Sequence, residues 1–142
     1  MNPSISRSRW FRILGAALAV IAFSFIAVMI VTAGYAFLLA YQARGAPDQS
    51  AINRFAAEIS PKYVPWLECF LALILSFTIG RKTDECSTTQ GLLIGILAGM
   101  LGLAVALFFR GHPSTSSMIF SFGVAGTGYI GGLLGEKWPA KK

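Results

Sequence analysis

The chain has 142 residues, of which 55% are hydrophobic and only 13% charged, about half the charged share of an average soluble domain. Its formal net charge is +6, but the basic residues are scattered through every connection and both ends. They form no stripe with interleaved aromatics, which argues against nucleic acid as a partner. The uncharged stretches are long: 31 residues between Arg12 and Arg44, 18 over 63–80 broken only by Glu68, 24 over 86–109 and 25 over 111–135. A hydrocarbon layer about 30 Å thick needs about 20 mostly apolar helical residues. The pattern therefore predicts an all-α integral membrane protein, a single four-transmembrane-helix bundle with spans near 13–35, 63–80, 90–109 and 115–135.

The first span, Ile13 to Tyr35, follows Arg7, Arg9 and Arg12. Its apolar run is longer than the roughly 7–15 residues of a signal-peptide core, so it reads as an uncleaved helix. Apolar character continues through Phe37-Leu38-Leu39-Ala40-Tyr41, and Thr32-Ala33-Gly34 offers a place for a bend. The connection 42–62 is the one stretch with soluble character. Within it Ile52, Phe55, Ala56 and Ile59 are spaced as one helical face. Ser50 suits an N-cap and Pro61 a stop, and Arg54 can pair with Glu58 four residues on. These features predict a short amphipathic helix from Ala51 to Ser60.

The second span carries Glu68, the only ionisable residue inside a predicted span. Intramembrane carboxylates are costly and default to a functional hypothesis. Counted from Tyr63, Glu68 lies about 8 Å inward by helical rise. From that depth it is a candidate ion or partner contact, or a hydrated interfacial carboxylate with Arg44, Lys62 or Arg110 in reach. Cys69 and Cys86 flank the span about 25 Å apart along a helix, too far for a disulfide, so both read as free thiols.

The third span opens with Ser87-Thr88-Thr89-Gln90, a capping-box pattern, after Asp84 and Glu85, which suit the positive helix end. It joins the fourth through a tight turn, Arg110-Gly111-His112-Pro113-Ser114. The hairpin holds the strongest local signal. Gly91, Gly95 and Gly99 recur every fourth residue in the third span; Gly123, Thr127, Gly131 and Gly135 do so in the fourth, with Gly128 and Gly132 on an adjacent stripe. Small residues in a row let helix backbones approach closely in lipid. Gly91, Gly95, Gly99, Gly123, Gly131 and Gly135 are thus expected helix-packing residues. Their partner is the facing span, a further helix or subunit, or a backbone-lined site.

Orientation follows the positive charges. Arg7, Arg9, Arg12, Arg81, Lys82, Lys137, Lys141 and Lys142 fall on one side; Arg44, Arg54, Lys62 and Arg110 fall on the other. Eight against four places both N and C termini in the cytoplasm and the amphipathic helix in the first outer connection. Localisation in a cell membrane follows, with a bacterial-type cytoplasmic membrane favoured.

His112 alone makes no metal site, and no nucleophile elbow, HExxH or phosphate-binding loop is present. No catalytic, cofactor or metal residue is expected, and the chain does not read as an enzyme. Four spans in so short a chain superficially resemble the small multidrug resistance transporters. That family's first-span glutamate has no counterpart here, since the first span is uncharged. Two functions are therefore expected in order. The first is an accessory, structural or assembly subunit that meets another membrane protein, or itself, through the glycine faces of spans three and four. The alternative is a small homo-oligomeric transporter or channel with Glu68 near its outer entrance. The lipid bilayer is a partner in either case.

Overall fold

The computed structural model describes residues 7–44, 48–82, 87–110 and 115–138. Four helices make up nearly all of them: α1 (Arg7–Ala43), α2 (Gln49–Arg81), α3 (Ser87–Arg110) and α4 (Thr115–Lys137). Among the described residues there is no strand. Each helix is long and apolar enough to cross a membrane, as the charge gaps imply. The physical reason is backbone satisfaction: in hydrocarbon, N–H and C=O groups must bond internally, and a helix does so within one segment.

The first two helices outrun their expected spans. α1 has 37 residues and stays helical through Thr32-Ala33-Gly34, which gives a length of about 55 Å. α2 has 33 residues, or about 50 Å. The stop expected at Pro61 does not occur. Residues 51–60 form the first turns of α2 rather than a separate helix, and both Pro61 and Pro65 lie inside it. Proline lacks an N–H and crowds the carbonyl four residues back. In water the chain can leave the helix and bond to solvent, but next to lipid that exit is closed, so the helix runs on.

The cap also differs from expectation. Asp48, extended at φ −67° and ψ 108°, accepts from the Ser50 N–H at 2.8 Å. That hydrogen bond holds its carboxyl below the ordinary 3.8. Arg54 donates to Ser50 Oγ at 3.4 Å rather than to Glu58. Ile52, Phe55, Ala56 and Ile59, the expected face, are less exposed than Arg54 and Glu58. Ile52 is buried, and the Phe55 ring stacks on Tyr35 with centroids 3.8 Å apart.

α3 and α4, with 24 and 23 residues, are about 36 and 35 Å long. Asp84, Glu85, Cys86 and the turn at 111–114 lie outside the described residues; Cys69 is a free thiol. α4 sits between α2 and α3, while α1 covers those two from the opposite side and does not pack on α4. The core uses small side chains. Ala17, Val20, Ala72, Ala98 and Val124 form one buried cluster, and Ile13, Ala16 and Ile94 form another.

Candidate functional site

The expected packing glycines divide between two neighbours of one chain. Gly91, Gly95 and Gly99 face α4. A methyl group built on Gly91 would strike the Gly128 carbonyl, one on Gly95 would meet Val124 O at 2.6 Å, and one on Gly99 would meet Ser121 O at 2.9 Å. The contact is reciprocal, since a methyl on Gly128 would meet Gly91 O at 2.6 Å. Gly131 and Gly135 lie on the other side of α4, against α2. A methyl on Gly131 would strike the Leu73 carbonyl, and one on Gly135 would meet Phe77 O at 2.8 Å. Gly123 is different: it is exposed, and its nearest neighbour is Cys69 Sγ at 3.5 Å. Five of the six positions thus set main chain against main chain inside the molecule.

Serine hydroxyls reinforce these contacts by donating to carbonyls of a facing helix. Ser76 Oγ reaches Gly91 O at 3.5 Å, and Ser121 Oγ reaches Gly99 O at 3.2 Å. Ser87, expected to cap its own helix, places its hydroxyl 3.1 Å from Gly132 O and 3.3 Å from Glu136 Oε2 on α4. Thr88 donates to the same carboxylate, and Arg81 Nε donates to Trp138 O at 3.0 Å. Glu136 thereby places negative charge at the N-terminal end of α3, where the helix dipole favours it. The Ser87 end of the bundle is closed by these bonds.

The four helices also leave a cleft toward the Arg110 end. Here a cavity of about 340 Å³ is lined by all four helices, with Glu68 in its wall. Pro61, Val64, Pro65 and Glu68 fall at i, i+3, i+4 and i+7, so one face of α2 forms one side. Gly102 of α3 makes room for the carboxylate: a methyl there would lie 3.3 Å from Glu68 Oε2. Gly102 is eight residues from Arg110, which sets Glu68 about 12 Å below that helix end. Phe25 of α1 and Phe120, Ser117 and Ser121 of α4 complete the lining. Trp66 packs edge-on against Phe120, with centroids 5.8 Å apart.

The electrostatics of this cleft are one-sided. Glu68 is half-buried, and among the described residues no hydrogen bond or basic side chain meets its carboxylate. Lys62 is exposed on the same helix and Arg44 is exposed too, while the side chain of Arg110, the third expected partner, lies outside the described residues. Pro61 and Pro65 offer no N–H to the carbonyls of Ala57 and Pro61, so two helical hydrogen bonds of α2 are missing beside the cleft. Sequence reading singled out Glu68 but not Pro61, Pro65 or Phe120 as its neighbours. Among the described residues no cluster of three metal-ligating side chains occurs.

The arrangement can attract a positive group and hold it between a carboxylate and aromatic rings. The comparisons with known proteins do not assign it a role: no protein-family model, curated protein or solved structure matches this chain.

Proposed function

We propose that this chain is a small multi-pass membrane protein that admits a cation into the four-helix cleft and works as a small transporter or channel. The observation that carries the reading is the Glu68 carboxylate, set in the cleft wall without a basic partner among the described residues. A charge inside a membrane is retained where it faces a water-filled cavity and serves a path. An arriving cation supplies the countercharge that the described residues do not. The two prolines of α2 agree, since prolines in membrane helices are tolerated where the freed backbone groups can find other partners. With eight basic residues on one side against four on the other, both termini are cytoplasmic. The cleft then opens outward from a bacterial-type cytoplasmic membrane, and residues 51–60 lie at the outer interface. Assembly as a homo-oligomer is part of this proposal.

Charge movement tests it. Purified protein in liposomes on a solid-supported membrane is given a rapid jump in cation concentration. The wild type is expected to displace charge, and Glu68→Gln to lose the current while keeping its helical content. Equal currents from both proteins overturn the reading.

An accessory or assembly role is the second reading, and one observation favours it. α1 outruns the α3–α4 hairpin and leaves Phe37, Leu38 and Tyr41 exposed, with Phe37 at 73%. A larger membrane protein seated on that arm would cover them, whereas the glycine faces are already occupied within the chain. Native mass spectrometry of gently extracted protein separates the two: a stable heteromeric mass supports the accessory role, and a homomeric mass supports the transporter.

A further inference from the structure

Resting on the reading of the cleft as a cation site, we infer that its occupant is an organic monocation: an ammonium group carrying an aromatic or branched apolar body. Charge comes first. The lining holds one carboxylate and no second acidic side chain, so a single positive charge balances it. A divalent metal requires more. Calcium takes about 6–8 oxygen ligands, usually with several carboxylates, and magnesium demands near-ideal octahedral oxygens. Here the other side-chain oxygens of the lining are the hydroxyls of Ser60, Ser116, Ser117 and Ser121, neutral and weak ligands beside one carboxylate.

Size and polarity decide between an inorganic and an organic ion. The cavity of about 340 Å³ falls in the range of small-molecule pockets, about 300–1,000 Å³. A bare alkali ion would occupy a small part of it and leave the apolar walls in contact with water. Ile21, Val64, Val105 and Ala106 gain by burial only if the ligand brings carbon to them. Phe25 and Phe120 add the remaining term, since aromatic faces attract ammonium groups within about 6 Å. One carboxylate, two phenyl rings and an aliphatic wall together describe the complement of an amphipathic ammonium ion.

Benzyltrimethylammonium is a suitable probe because its charge does not titrate. Its carbon isostere, neopentylbenzene, is the neutral control. Binding to the purified protein in nanodiscs is followed by Trp66 fluorescence, which Phe120 couples to the cleft, and charge movement is recorded in parallel with sodium, potassium and calcium. The expected result is saturable binding of the ammonium, weakened at least tenfold in Glu68→Gln and about threefold to tenfold in Phe25→Leu, with no displacement by the isostere. Phe25→Leu keeps an apolar residue of similar size and leaves the Trp66–Phe120 pair intact, and Glu68→Asp should retain part of the affinity. If inorganic cations give Glu68-dependent currents and the ammonium neither binds nor competes, the substrate class is wrong and the cleft reading stands. If no cation binds and Glu68→Gln changes nothing, both fall.

Discussion

Replacing Gly128 by alanine should part α3 from α4. The added methyl would sit 2.6 Å from Gly91 O, 2.8 Å from Gly95 Cα and 3.0 Å from Gly95 N. All three are main-chain atoms, so no side chain can rotate aside. Bringing the oxygen contact to an ordinary 3.4 Å requires a separation of about 0.8 Å along that line, and a gap of about 0.5–1 Å forfeits roughly a quarter to a half of each dispersion contact. Overpacking a tight interface costs about 1–3 kcal/mol. In water alanine would return about 1 kcal/mol of helix propensity. In lipid the helix keeps its hydrogen bonds whether docked or not, so little is returned. A net loss of about 2 kcal/mol, about thirtyfold in the docking equilibrium, is expected. The assay is reversible denaturation in mixed micelles, followed by Trp66 fluorescence and circular dichroism. Gly126→Ala is the control, because nothing lies within 4 Å of a methyl at that position on the same helix. If the two variants unfold at the same denaturant concentration, main-chain contact is not what holds the hairpin together.

Gly102→Leu should fill the space beside the Glu68 carboxylate, 3.3 Å from the position of the first added carbon, and lower cation binding at least tenfold without loss of helical content. Ser87→Ala removes a hydroxyl that bridges to Gly132 and Glu136; interhelical hydrogen bonds in membranes are worth about 0.6 kcal/mol on average, so denaturation should shift by about that much. Asp48 has a folded pKa held below 3.8 by Ser50, so its cap is fully in place above the unfolded value and is lost as pH falls through the folded one. Hydrogen exchange at the Ser50, Ala51 and Ile52 amides should accelerate below about pH 4 beyond the intrinsic trend, and Asp48→Asn should remove that pH dependence.

Four helices were legible in the charge gaps because lipid leaves the backbone few choices. The glycine spacing pointed to close helix approach, and methyl groups built on five of the six positions meet main-chain atoms of a facing helix. Which helices meet was not legible. Gly91 and Gly131 look alike in sequence, yet one faces α4 and the other α2, since the rotation of α4 depends on contacts far apart in the chain. Pro61 misled because its usual meaning as a stop assumes water on the far side. Ser87 carried a capping pattern, but tertiary packing drew its hydroxyl to α4. Glu68 stood out as the lone charge in a span. The cleft around it depends on Phe25, Gly102 and Phe120, which no local pattern links and which only the fold gathers.

The meeting of main chain with main chain has a mechanical consequence. Along the α2–α4 and α3–α4 contacts the surfaces that touch are carbonyls and α-carbons, which have no rotamers to exchange. Those three helices should therefore shift together as one stiff body. α1 is held to that body by ordinary side chains, and its backbone does not approach that of α4. α1 meets that body through side chains in both halves, at Ile13, Ala17, Val20 and Ser24 in one and at the Tyr35–Phe55 stack in the other, so any widening of the proposed cleft falls to these contacts. Pairs of spin labels should show a broad distance distribution between α1 and α4 at the Arg110 end, and a narrow one between α3 and α4. On the proposed transport reading, the gate is the helix without a charge in its span.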